Sequence, residues 1–157
     1  KMKCESVQRF RLTQEQHSAA FDGDAAVGPL ELTVIAMPGS WMVHLAYATQ
    51  DCLTELHAYH PNRFNSGQSA EPLHAEILAE SPAPDVARRL AAMIGRRVVK
   101  ATGCPAFVGL GLPARLANQV VREEAVVAAA QRLFARLLPS LLTAIGEDSG
   151  RGSGDPS

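Results

Sequence analysis

The sequence predicts an α+β domain, an antiparallel β-sheet or sandwich of about six strands flanked by two amphipathic helices. Three observations predict it. Residues Leu32 to Ala48, LTVIAMPGSWMVHLAYA, are two alternating apolar runs around a Pro-Gly turn. Two later segments repeat apolar residues at helical spacing. Between them, Ala106 to Leu112 (AFVGLGL) reads as a strand too apolar to be exposed on both faces.

In chain order, residues 4–12 (CESVQRFRL) alternate weakly, with Phe10 and Leu12 on one face and charges on the other, as an edge strand does. Residues 13–29 are polar, small and Gly/Pro-bearing and read as a loop. Leu30, Leu32, Val34 and Ala36 then share one face of a strand, and Glu31, Thr33, Ile35 and Met37 share the other. Pro38 fixes φ and Gly39 accepts a positive φ, so the chain turns there. Trp41, Val43, Leu45 and Tyr47 resume one face, and His44 falls on the other. Leu53 to Tyr59 is a third run, with Leu53, Glu55, His57 and Tyr59 alternating against Thr54, Leu56 and Ala58. Residues 60–72 read as a loop. Leu73 to Ala79 reads as a short strand or a helical turn, stopped by Pro82 and Pro84.

Asp85 is the expected N-cap of the first helix. Val86, Leu90, Met93, Ile94, Val98 and Ala101 follow at helical spacing, with Arg88, Arg89, Arg96 and Lys100 on the opposite side. Gly103 and Pro105 suit its end. A second reading ends the helix at Gly95 and makes Arg96 to Ala101 a strand; the long helix is preferred. Pro113 opens a last helix over Ala114 to Leu138. One broad arc of it holds Leu116, Val120, Val126, Val127, Ala130, Leu133, Phe134, Leu137 and Leu138. Pro139 ends or kinks it, and a disordered tail is expected over 146–157. A single domain over residues 4–145 is the expected organisation.

Composition narrows the function classes. Of 157 residues, 46% are hydrophobic, enough for one core. The formal net charge of −1 supplies no basic field for nucleic acid or a membrane surface, and neither is expected as a partner. No apolar run approaches the roughly 18 residues of a membrane span. No apolar segment follows the N-terminal charges, so no secretory signal is expected. Cys4, Cys52 and Cys104 are an odd number at wide spacings. That argues against a disulfide framework and for a reducing compartment, the cytoplasm or the nucleus.

The candidate chemistry is thin. Cys52, His57 and His60 are the tightest Cys/His group, but zinc asks for three or four convergent ligands, and strand geometry sends His57 and His60 to opposite faces. The simpler reading is a buried cysteine and two partly exposed histidines at a strand end. Cys104, between Gly103 and Pro105, has no local base to activate it. Gly109 and Gly111 fail the dinucleotide-loop spacing, because residue 114 is alanine and Pro113 intervenes. No catalytic residue, metal ligand or cofactor is expected, and the chain reads as a non-enzymatic interaction protein. A cysteine- or metal-dependent enzyme is the rival from another class.

Two surfaces are candidate partner sites. Arg88, Arg89, Arg96, Arg97 and Lys100 form the one clear charge cluster, suited to an acidic protein, or else simply a solvated helix face. On the last helix, the side away from the apolar arc carries Val121, Arg122, Ala125, Ala129 and Arg132, where alanine allows close approach of another element.

The order of these segments resembles the proteasome assembly chaperone 4 family. The resemblance lies in SVQRF as a first strand, the hairpin LTVIAMPGSWMVHLAYA with its aromatic near Trp41, the strand CLTELHAY, the helix containing VARRLA (Val86 to Ala91), the strand AFVGLGL, and a closing amphipathic helix. It covers about Ser6 to Leu138 and consists of patterns of hydrophobicity and length. The segment RRVVKATGC is longer than the family pattern between helix and strand, and the early loop and Gly/Ser tail are extra. The resemblance implies a chaperone that pairs with a proteasome assembly chaperone 3-like protein and binds α subunits while the α ring of the 20S proteasome forms. The alternative is a small dimeric scaffold of the profilin or roadblock kind, since fold alone does not choose function.

Overall fold

A computed structural model of the chain describes residues 7–11, 30–47, 53–64, 70–112, 124–136 and 138–139. Its first strand, Val7–Arg11 (β1), pairs antiparallel with Leu30–Met37 (β2). A two-residue turn, Pro38-Gly39, leads into Ser40–Tyr47 (β3), with Gly39 at φ 73°. Register runs from Met37↔Ser40 to Leu30↔Tyr47, so the predicted apolar faces coincide across the hairpin. Glu55–His60 (β4) and Leu73–Ala79 (β5) pair antiparallel, which resolves Leu73–Ala79 as strand rather than helical turn. A helix, Pro84–Thr102 (α1), precedes Ala106–Gly111 (β6). A second helix, α2, occupies 124–136.

The six strands form one sheet in the order β1-β2-β3-β6-β4-β5. The last strand inserts between β3 and β4, pairing parallel with β3 and antiparallel with β4. The sheet is therefore mixed rather than wholly antiparallel. The long excursion through β4, β5 and α1 supplies the crossover that a parallel pair needs. The central place of β6 explains its composition, since a strand flanked on both sides buries nearly every position. Its residues are buried except for Phe107, which is half-buried.

One face of the sheet carries the core. Leu32, Leu45 and Leu110 form one row across β2, β3 and β6; Val34, Val43 and Val108 form the next. All six are buried, and they join one apolar cluster with Val86, Leu90, Ile94 and Val98 of α1 and Val126, Leu133 and Phe134 of α2. Each such side chain contributes about 1.5–3 kcal/mol of burial. Arg89 of α1 pairs with Glu124 at 2.7 Å, and the Arg97 guanidinium lies 5.9 Å from the centre of the Phe134 ring, so the two helices lie side by side. No described helix is long and apolar enough to cross a membrane.

Two expectations for the helices change, and one is borne out. The cap of α1 is Ala83, not Asp85. Pro84 occupies the first turn, where its missing N–H costs nothing, and Asp85 follows as a first-turn acid facing the positive helix end. The residues Arg96 to Ala101 are helical, as preferred, and the helix ends at Gly103 with φ 67°, its N–H bonding the Val99 carbonyl. On α2, Ala129 belongs to the core cluster. The opening of the last helix at 113–123, the early loop and the tail lie outside the described residues.

Candidate protein-interaction surfaces

Alternation along each strand sends every second side chain to the face opposite the helices. No described element packs on that face. Ile35 and Met37 of β2, Met42 and His44 of β3, Phe107 of β6 and Leu56 of β4 all project there and are half-buried. At the β5 edge a bulge opposite Leu56–His57 places an extra residue in the strand. Ile77 and Leu73 at that edge are 57% and 46% exposed. Leu53, 40% exposed, leans over Gly109, where a Cβ would come within 2.8 Å of its Cδ1 and 3.2 Å of His44 Cδ2. Gly109 thus leaves the room that the Leu53 and His44 side chains occupy against the sheet. His60 meets Phe107 edge-on across the same face, with ring centres 6.3 Å apart. Burial lowers the His44 pKa, so the neutral imidazole is favoured there.

The predicted basic face of α1 is exposed, and its charges are met within the chain. Arg88 pairs with Glu76 at 3.1 Å, Arg89 with Glu124, and Arg96 and Lys100 with Glu71 at 3.0 and 3.6 Å. Exposed pairs of this kind contribute about 0–1 kcal/mol each. On α2, Arg132 is exposed, Ala125 packs partly against the core and Ala129 is fully buried; Val121 and Arg122 lie outside the described residues.

The described Cys/His candidates, His57, His60 and Cys104, do not converge. Cys52 lies outside the described residues. His57 and His60 point to opposite faces; His60 is exposed, but His57 is wholly buried rather than partly exposed. The reason is the β4 register, which turns Glu55, His57 and Tyr59 toward α1. Cys104 sits half-buried after α1, its thiol 3.5 Å from the Thr102 carbonyl. No group of three metal-ligating side chains occurs among the described residues.

The inward polar face of β4 was visible in sequence only as an indecisive alternation. In the fold it is a chain of hydrogen bonds. Glu55 accepts from His57 Nε2 at 2.6 Å and from the Ser81 N–H at 3.3 Å. His57 Nδ1 meets His74 Nε2 at 2.8 Å. A carboxylate only accepts, so His57 donates from Nε2, and its Nδ1 accepts from His74. Burial and then the neighbouring His57 lower the His74 pKa, with Glu76 opposing and Arg96 adding to the shift.

No protein-family model matches the chain, and no curated protein matches it. Among solved structures it is similar to a chain in the crystal structure of a chaperone complex for yeast 20S proteasome assembly, at 13% identity and a TM-score of 0.51. The match covers 87% of this chain and 98% of that one. At that identity the likeness establishes a shared architecture: this chain has the fold of that chain of the chaperone complex.

Proposed function

We propose that this protein is a non-enzymatic chaperone of 20S proteasome assembly. In this reading it pairs with a related small chaperone, of the proteasome assembly chaperone 3 kind, and the pair holds α subunits while the α ring forms in the cytoplasm or nucleus. The observation that carries the proposal is a sheet face on which no described element packs. With the described helices on one side, Ile77 is exposed and Ile35, Met37, Met42, Leu56 and Phe107 are half-buried on the other, where no described element packs on them. Two such faces stacked about 10 Å apart would bury both and form a sandwich with helices outside. The fold likeness supports the same reading. A scaffold acts through complementary surface and needs no perturbed acid or base.

The test is affinity purification of the tagged protein from its own cells with mass spectrometry. Recovery of proteasome α subunits and a second small chaperone, without mature 20S particles, is the expected result. Recovery of the protein alone, as a homodimer, would replace the proposal with a profilin- or roadblock-like scaffold.

A further inference from the structure

Between β4, β5 and α1 lies a cavity of about 170 Å³, lined by His57, Tyr59, Pro72, His74, Arg88, Ala92 and Arg96. It lies on the helix side of the sheet, away from the apolar face. Its polar lining includes two guanidinium groups and one solvent-reaching imidazole, with no carboxylate among the lining side chains.

The imidazole is held from three directions. His74 is hydrogen-bonded to His57, stacked on the His57 ring with centres 5.1 Å apart, and stacked on Tyr59 at 4.7 Å. His57 in turn is anchored by Glu55, whose second oxygen accepts from Ser81. Glu55 and His57 are 1% and 0% exposed in an otherwise apolar core. A buried polar chain is a costly way to fill space that leucine would fill. Here it ends on a cavity lined by two guanidinium groups, each paired with a glutamate behind it.

The two arginines reach the cavity from positions about two turns apart on α1, with Ala92 on the turn between them. Arg88 engages Glu76 and Arg96 engages Glu71, in each pair through the Nε nitrogen. That contact takes one of the five N–H donors of a guanidinium, and the Nη edge is the fork that grips oxyanions. Glu71 and Glu76 therefore orient the arginines as well as neutralise them.

We propose that this cavity binds a phosphoryl oxyanion, gripped by Arg88 and Arg96, with His74 as a proton-dependent third donor backed by the His57–Glu55 pair. Donors from two turns of a helix and from a facing strand suit a tetrahedral group with three acceptor oxygens better than a planar carboxylate, which one arginine satisfies. The hydrogen-bond directions couple binding to protons. Neutral His74 spends its Nε2–H on His57 and keeps a lone pair on Nδ1, which repels an anion. Protonated His74 carries N–H on both nitrogens. Anion binding and proton uptake must then favour each other. The groups that face His74 are His57 and Tyr59 on β4, Glu76 on β5, and Arg88 and Arg96 on α1, with Glu71 behind Arg96.

The experiment is calorimetric titration of the full chain with inorganic phosphate, sulfate and O-phosphoserine. Saturable binding is expected, weakened roughly tenfold or more by the double variant R88Q/R96Q. The charge-matched R63Q/R136Q, at exposed positions outside the cavity, should bind as the parent does. E71Q/E76Q releases the arginines and should tighten binding. Sulfate keeps its charge between about pH 5.5 and 7.5, so its affinity should rise as pH falls, with net proton uptake, and H74N should flatten that trend. Tighter binding of O-phosphoserine than of phosphate assigns the site to phosphorylated side chains; equal binding assigns it to free phosphate. Absence of saturable binding up to about 10 mM, or equal losses in the two arginine doubles, would overturn the proposal.

Discussion

The ring of Tyr59 occupies the space where a side chain on residue 95 would begin. An ideal Cβ on Gly95 would lie 2.5 Å from Tyr59 Cε2 and 2.6 Å from Cγ. The glycine therefore sets how closely α1 approaches β4, and Tyr59 is confined on its other side by the stacked His74. Gly95→Ala gains about 1 kcal/mol of helix propensity but must displace a ring held near its root, at a cost of about 1–3 kcal/mol. A net loss of about 1–2 kcal/mol is expected in urea denaturation. The double variant G95A/Y59L should recover most of it, because leucine vacates the ring plane. A stabilised G95A would mean that Tyr59 swings aside freely.

Glu55 should be among the most sensitive polar positions. Leucine at this site strands His57 and the Ser81 N–H in the core, and breaking a buried pair from one side costs about 3–5 kcal/mol. Glutamine keeps an acceptor for Ser81 and a donor for the other tautomer of His57, so E55Q should lose only about 1 kcal/mol. E55L/H57F removes both partners and should be more stable than E55L alone. Urea midpoints of the four proteins check the order.

What was legible in the sequence follows from what each signal encodes. The hairpin was readable because period-two alternation and a Pro-Gly turn are local, and its faces are those predicted from Leu30 to Tyr47. The arc of α2 was readable from Val126 to Phe134 for the same reason. Strand order was not, because nothing local in AFVGLGL says that it slips between β3 and β4. Nor was the role of β4. Glu55 and His57 look solvent-facing by residue type, and only the fold reveals His74, 17 positions on from His57, as the partner that makes their burial tolerable. The face that no described element covers is not legible in sequence, because Ile35, Met42 and Leu56 read as ordinary strand residues until the described helices are placed on one side.

Acid should destabilise the protein before its carboxylates titrate. His44 has a lowered pKa from burial, and His74 from burial and then from His57. The folded protein therefore holds these protons more weakly than the unfolded chain, whose histidines titrate near 6.5. Below that value the unfolded state binds more protons, so stability falls as pH drops through 6.5 toward the lowered values; above it these groups add no slope. The urea midpoint should be lower near pH 5.5 than near pH 7.5, in a buffer free of phosphate and sulfate. H44N/H74N should shrink the difference. An unchanged midpoint in the parent would mean that both imidazoles are solvated.

The sheet face makes a prediction that separates it from the helix faces as the partner surface. Ile77 and Leu73 are exposed in the isolated chain, so I77E and L73E should each change stability by less than about 0.5 kcal/mol. Against a partner they place a carboxylate in a surface that must be dry, where an unpaired charge costs several kcal/mol. A standard interface buries about 800 Å² per partner, and the row Ile35, Met42, Phe107, Ala58 and Ala75 spans β2, β3, β6, β4 and β5, with Leu73 and the bulge residue Ile77 at its β5 edge. Recovery of the proposed small chaperone partner in affinity purification should therefore fail for I77E and L73E. It should persist for R89A and R132A, whose side chains lie on the helix side. If instead the arginine variants lose the partner and the glutamate variants keep it, the helices form the interface and the apolar sheet face must be covered by something else.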